Sequence, residues 1–157
     1  MGKLDDPENI VVFDADGTLF SYNYGTARVH HDLDTIKTAA QFRDVDIYAA
    51  VKGIPVIRDY IWERGLDLVY VLSKETSRKD SKTKALSRYY GILPGHCFYV
   101  EEDRYKIDIL KAIHKHFEHE KRDLIYIDDS EQTLRMVEDR TDFCTAHVTV
   151  FFEEGMY

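Results

Sequence analysis

Two aspartates that stand two residues apart, Asp14 and Asp16, follow directly on an apolar run, Ile10–Phe13. A run that is apolar at every position is typical of a strand buried on both faces of a sheet. Small Ala15 separates the two carboxylates, and Gly17 permits a tight turn just after them. A buried strand that ends in two acids predicts an anionic site at the carboxyl edge of an α/β sheet, where such folds bind ligands.

Four further side chains of compatible chemistry follow later in the chain. Ser73 stands at the end of the second predicted strand, and Lys106 opens the predicted helix before the fourth strand. Asp128 and Asp129 stand at the end of that fourth strand. Because the carboxyl ends of parallel strands meet at one edge of the sheet, we expect all four groups to lie close to the first two aspartates.

Four carboxylates gathered at one edge would repel one another. A single pair at about 4 Å costs about 4 kcal/mol at an effective dielectric of about 20. A hard divalent cation with oxygen ligands relieves this repulsion, and Mg²⁺ in particular keeps waters and accepts phosphate oxygens. The ammonium of Lys106 and the hydroxyl of Ser73 then suit the remaining oxygens of a phosphoryl group. The set therefore predicts phosphoryl transfer assisted by Mg²⁺.

Strand-like and helix-like segments alternate along the chain. Apolar runs predict strands at 10–13, 66–72, 97–100, 124–127 and 146–152. Helical spacing, with Pro55 in a first turn and Gly65 and Gly91 as stops, predicts helices at 32–42, 55–64, 80–90, 104–117 and 131–138. Asp80 or Ser81 is the expected cap of the third helix. The alternation predicts one α/β domain over residues 1–157, a three-layer Rossmann-like fold with a mainly parallel five-stranded sheet.

Composition narrows the class of protein and of partner. The 157 residues are 44% hydrophobic, which is ample for a core, and carry a formal net charge of −8. That charge makes nucleic acid an unlikely partner for the surface as a whole. Neither a signal peptide nor an apolar run of about 18 residues is present, so we expect a soluble cytoplasmic protein with no membrane partner. Whether the protein forms an oligomer stays open.

The order and spacing of the selected residues carry a resemblance to a known family. Asp14-x-Asp16-Gly-Thr, then Ser73, then Lys106, then Asp128-Asp129 resembles the four motifs of the haloacid dehalogenase superfamily, over residues 11–134. The segments FDADGTL, LSKET and IDDSEQ most resemble the small magnesium-dependent phosphatases of its third subclass. The resemblance implies hydrolysis of a phosphorylated small molecule or phosphoprotein, with phosphotyrosine and sugar phosphates as expected substrates.

The same resemblance implies a role for each residue. Asp14 is expected to be the nucleophile that forms an aspartyl-phosphate, and Asp16 to protonate the leaving oxygen and then activate water. Ser73 and Lys106 are expected to bind the phosphate. Mg²⁺ is expected on the Asp14 carboxylate, the Asp16 backbone carbonyl and one carboxylate of the last pair. Asp129 is the favoured direct ligand of that pair, with Asp128 behind it.

The spacing between motifs also predicts what the chain lacks. Superfamily caps enter either before Ser73 or between Ser73 and Lys106, and the second interval already holds a helix and a strand. The first interval offers about 34 residues, from Phe20 to Gly53, too few for a typical helical cap domain. We therefore expect no large cap and only a small flap at residues 21–31.

Two other functions stay open at this point. One is a nucleic-acid end phosphatase, and the other is a non-catalytic phosphate-sensing or interaction module on the same fold. The first draws on a basic cluster after the second strand, which is either a solvated helix face or an electropositive rim that attracts anions. The basic cluster consists of Lys74, Arg78, Lys79, Lys82, Lys84 and Arg88.

Overall fold

Five parallel strands form one sheet in the computed structural model, which describes residues 2–20 and 53–152. The order across the sheet is β3-β2-β1-β4-β5, and every neighbouring pair is parallel. The central strand, β1, therefore lies between β2 and β4, and the strand order reverses beside it. The carboxyl ends of β1 and β4 flank that reversal, which is where open α/β sheets bind their ligands. The strands are β1 (Ile10–Phe13), β2 (Val69–Lys74), β3 (Cys97–Val100), β4 (Leu124–Asp128) and β5 (Cys144–His147).

Helices cover both faces of the sheet. On one face Val11 and Phe13 of β1 pack in a core with residues of the first two helices, and on the other face Ile10 and Val12 pack with residues of the next two. The apolar run of β1 is thus buried on both sides, as its composition predicts. The α-helices of the described residues are α1 (Pro55–Arg64), α2 (Lys79–Tyr90), α3 (Lys106–His116) and α4 (Glu131–Arg140). These layers confirm the three-layer, Rossmann-like α/β fold.

Several predicted boundaries are confirmed. The third strand has the predicted bounds, and α1 begins at Pro55. Gly65 (φ 92°) and Gly91 (φ 76°) end α1 and α2 in backbone conformations that other residues rarely adopt. Ser130 caps α4 by accepting a hydrogen bond from the backbone N–H of Thr133 at 3.2 Å. This helix runs two residues beyond its predicted end, to Arg140.

Other boundaries were predicted wrongly. The fifth strand is Cys144–His147, and residues 148–152 form a 3₁₀ helix where a strand was expected. Val148 and Phe151, three residues apart, are both fully buried, a spacing that fits one face of a 3₁₀ turn better than one face of a strand. The predicted second strand begins too early, at 66 rather than 69.

Two helix starts also differ from prediction. Neither Asp80 nor Ser81 caps α2, because the helix already begins at Lys79 and both residues lie in its first turn. A 3₁₀ turn, Asp103–Tyr105, precedes α3, which ends at His116 rather than at 117. Two further 3₁₀ turns lie at Gly2–Asp5 and Pro94–His96. No helix among the described residues is long and apolar enough to cross a bilayer.

The predicted flap at 21–31 and the predicted helix at 32–42 lie outside the described residues. The absence of a large cap therefore stays a prediction. The two ends of the intervening segment are described. Phe20 and Gly53 pair in an antiparallel bridge. The buried hydroxyl of Tyr90 donates to the Leu19 carbonyl at 2.5 Å and accepts from the Ile54 N–H at 2.8 Å, so one side chain of α2 ties both ends together.

This tie depends on a close backbone approach at Gly53. A Cβ placed there would lie 2.3 Å from Cδ1 of Tyr89 and 2.8 Å from the hydroxyl of Tyr90. We expect Gly53→Ala to destabilise the protein by about 1–3 kcal/mol, the usual range for overpacking, and to lower its melting temperature. Gly95→Ala is the matched control, because a Cβ there meets nothing within 4 Å. Equal melting temperatures for the two variants would contradict the close approach.

Candidate active site

All six side chains selected from the sequence line one cleft of about 250 Å³ at the carboxyl edge of the sheet. They come from the ends of three strands and from the start of α3, so the parallel topology brings them together as expected. They are Asp14, Asp16, Ser73, Lys106, Asp128 and Asp129. Four further residues complete the lining. Lys74 belongs to the basic cluster named from the sequence, and the sequence analysis did not select the other three, Asp103, Ser130 and Thr133.

A tight turn after β1 sets the position of Asp14. Its backbone N–H continues the pairing with β4 by donating to the carbonyl of Ile127 at 2.9 Å. The chain then turns at Gly17, whose φ is 84°, and the N–H of Thr18 donates to the Ala15 carbonyl at 3.1 Å. The buried hydroxyl of Thr18 lies 3.4 Å from Oδ2 of Asp14. The turn thus fixes the carboxylate on the sheet's central strand.

Lys106 lies among three carboxylates. Its ammonium nitrogen is 3.1 Å from Oδ1 of Asp14, 3.4 Å from Asp103 and 3.5 Å from Oδ2 of Asp128. Only 2% of its side chain is exposed. Burial alone would lower the pKa of Lys106, but the three carboxylates together raise it above its usual value, so the side chain stays charged.

Tyr126 belongs to the same network, although sequence reasoning did not select it. Its hydroxyl donates to Oδ2 of Asp128 at 2.5 Å and accepts from Lys106 at 2.9 Å. Oδ1 of Asp128 accepts from the backbone N–H of Ser130 at 3.1 Å, so both oxygens of this carboxylate already have donors. The sequence signal that could have identified Tyr126 is the alternation of side chains along a strand. Tyr126 precedes Asp128 by two residues on one strand, so the two side chains lie on the same face of the sheet.

Burial and neighbouring acids oppose ionisation of the nucleophile candidate. Burial raises the pKa of Asp14 well above its usual range, Asp128 and Asp16 add to the shift, and Lys106 opposes it. A cation bound beside Asp14 would lower this pKa further, because a nearby positive charge favours the ionised carboxylate.

The donor set fits a hard divalent cation. Carboxylate oxygens of Asp14, Asp128 and Asp129 all lie within 4.8 Å of one another, and Asp129 is the most exposed of the three. Oxygen donors of this kind suit Mg²⁺. The oxygens of Asp128 accept hydrogen bonds from Tyr126 and Ser130. The selection of Asp129 as the direct ligand stays a prediction.

A second buried lysine serves Asp16 and Ser73. Nζ of Lys82 is 2.9 Å from Oδ2 of Asp16 and 3.0 Å from Oγ of Ser73, and it forms an ion pair with Glu75 at 3.1 Å. The Lys82 side chain is fully buried, which corrects its assignment to a solvent-exposed basic cluster; Lys79 and Lys84 of that cluster are exposed. Side chains in the first turn of a helix point back towards its amino end. This direction was the sequence signal that Lys82 could reach the sheet edge.

The chain matches no protein-family model, no curated protein and no solved structure. The α/β fold and the acidic cluster are therefore findings about this chain itself. The resemblance to the haloacid dehalogenase superfamily continues to depend on the motifs quoted above and stays a prediction.

Removal of divalent cations tests the acidic cluster. A cation that binds the folded state alone stabilises it by about 2.7 kcal/mol at a hundredfold excess over Kd. We expect millimolar Mg²⁺ to raise the melting temperature by about 5–10 °C relative to EDTA. Asp129→Asn should reduce this response, whereas Asp59→Asn, an exposed position on α1, should keep it. Identical wild-type curves with Mg²⁺ and with EDTA would contradict a cation site.

The pH dependence of stability tests the electrostatics of the metal-free cluster. Burial and the neighbouring Asp128 raise the pKa of Asp129 from 3.8 to about 6. The folded state then binds more protons than the unfolded state between these values, so this group makes stability fall as pH rises towards 6. In EDTA, the melting temperature of Asp129→Asn minus that of wild type should increase from pH 5 to pH 7. A difference that does not change with pH would contradict the raised pKa.

Proposed function

We propose that this protein is a Mg²⁺-dependent phosphomonoesterase that works through Asp14. The observation that carries the proposal is the convergence of a nucleophile candidate, an acid/base candidate and two phosphate-binding groups around one cleft, beside a cluster of three carboxylates. Nucleophilic catalysis needs such a division of labour, because the group that forms the covalent intermediate cannot also serve the leaving oxygen.

In the first half of the reaction, a carboxylate oxygen of Asp14 attacks phosphorus. The bond from phosphorus to the ester oxygen breaks, and Asp16 donates a proton to that oxygen as the alcohol leaves. In the second half, Asp16 takes a proton from water, and the water oxygen attacks phosphorus. The bond from phosphorus to Asp14 then breaks, which releases inorganic phosphate and restores both aspartates.

The remaining groups of the cleft bind the phosphoryl oxygens. Lys106 supplies positive charge beside Asp14, and the Ser73 hydroxyl supplies a hydrogen bond. Asp14, Asp128 and Asp129 would hold Mg²⁺, which supplies charge neutralisation for the phosphoryl oxygens. Charge placed where it develops in the transition state is a major source of rate enhancement.

The proposed substrates are phosphorylated small molecules or phosphoproteins, with phosphotyrosine and sugar phosphates as the classes that the resemblance implies. A nucleic-acid end phosphatase is less favoured, because burial of Lys82 takes one cation out of the exposed basic cluster. A purely phosphate-sensing module has no need of an acid/base beside the nucleophile, and Asp16 lines the cleft with Asp14.

A panel of phosphomonoesters tests the proposal: a phosphotyrosine peptide, hexose phosphates, nucleotides and a 5′-phosphorylated DNA. With Mg²⁺ we expect turnover of at least one ester, and none with EDTA. Asp14→Asn should abolish turnover, and Asp16→Asn should slow it about 10²–10⁴-fold, the usual contribution of general acid–base catalysis. Asp59→Asn is the control and should match wild type. No turnover of any ester, or full activity of Asp14→Asn, would overturn the proposal.

A further inference from the structure

Lys82 is a fully buried cation beside the cleft, and the mechanism above gives it no part. It comes from the first turn of α2 and reaches the carboxyl ends of β1 and β2, where three oxygens lie within hydrogen-bond distance. These oxygens belong to Asp16 (2.9 Å), Ser73 (3.0 Å) and Glu75 (3.1 Å). Because none of its side chain is exposed, Lys82 does not itself reach a bound substrate.

The chemistry of an ammonium group determines what these contacts do. An ammonium only donates hydrogen bonds, so the Ser73 oxygen must accept from Lys82. The hydroxyl proton of Ser73 is then directed to another acceptor, which is the polarity that binding a phosphoryl oxygen requires. The same ammonium also donates to Oδ2 of Asp16. This contact lies on the β2 side of β1, whereas Asp128 and Asp129 lie on the β4 side.

Fold stability alone is a poor reason for a lysine at this position. The amino end of a helix carries a partial positive charge, which disfavours a cation in its first turn. Burial of the ammonium and its partners costs hydration free energy, and an apolar residue of similar volume often stabilises a core equally well or better. We therefore look for the role of Lys82 in its contacts with the two cleft residues, Asp16 and Ser73.

We propose that Lys82 is a positioning residue, which orients Asp16 for proton transfer to the leaving oxygen. This inference rests on the proposed phosphomonoesterase function. It assigns Lys82 to the acid/base side of the cleft, whereas Lys106 serves the nucleophile and the carboxylate cluster.

The experiment compares two esters whose leaving groups differ in their need for a proton. The alkoxide of a hexose phosphate leaves poorly unless it is protonated, whereas p-nitrophenolate leaves without help. For each enzyme the readout is kcat/KM for p-nitrophenyl phosphate divided by kcat/KM for the hexose phosphate. This ratio is independent of the folded fraction and cancels losses in phosphate binding that the two esters share, so a merely structural role would not move it.

We expect Lys82→Met to raise the ratio about tenfold or more, because misplacing a catalytic group by about 1 Å can cost about 10²-fold. Asp16→Asn should raise it at least as much. In the Asp16→Asn background, Lys82→Met should leave the ratio unchanged, since the group that it positions no longer transfers a proton. Lys79→Met, the same substitution at an exposed position of the same helix, should match wild type.

Each outcome decides between the two proposals. Wild type active on both esters, with an unchanged ratio in Lys82→Met, would overturn the positioning role and leave the phosphomonoesterase intact. An equal rise in ratio with and without Asp16 would also overturn it. No turnover by wild type would overturn both. If Lys82→Met does not fold, Lys82→Gln, which keeps a donor on a shorter side chain, replaces it under the same criteria.

Discussion

The ammonium of Lys106, shared among carboxylates that a sheet edge forces together, is the interaction on which the cleft depends. A parallel sheet places the carboxyl ends of all its strands at one edge, and in this chain Asp14 follows β1 directly and Asp128 ends β4. Without an internal cation, Asp14 and Asp128 would face each other across the strand reversal with little hydration. Lys106 and Tyr126 make this arrangement tolerable, yet one positive charge leaves the cluster short of neutrality.

Two buried lysines divide the acids into two groups. Lys106 stands with Asp14 and Asp128 on the β1–β4 side, and Lys82 stands with Asp16 and Glu75 on the β1–β2 side. The two aspartates that follow β1 are only two residues apart, but their carboxylates are served by different cations. Such separate surroundings are what two carboxyl groups of different function need, because identical surroundings would give them identical chemistry.

Most of the fold and the membership of the cleft could be predicted from the sequence, because both depend on short-range patterns. Apolar runs located the first four strands, and the convergence of the acids at their ends followed from parallel topology. The predicted fifth strand overlaps the observed one only at residues 146 and 147. Lys82 and Tyr126 were missed, since a lysine in a charged helix and a tyrosine in an apolar strand are ordinary until tertiary contacts are known. Strand period and helix direction indicate which way each side chain points, but not what it contacts. The 3₁₀ turn Val148–Phe152 was missed because strand propensity was overridden by packing of Phe151 against Phe13 and Tyr60.

The tie made by Tyr90 has a consequence for how this protein can vary. With Leu19 and Ile54 held by one hydroxyl, the 32 residues from 21 to 52 start and finish at one fixed point of the domain. Both ends are thus brought together by a side chain of the described domain itself, the hydroxyl of Tyr90. A change in the number of residues between them therefore leaves the point where the chain departs and returns in the same place.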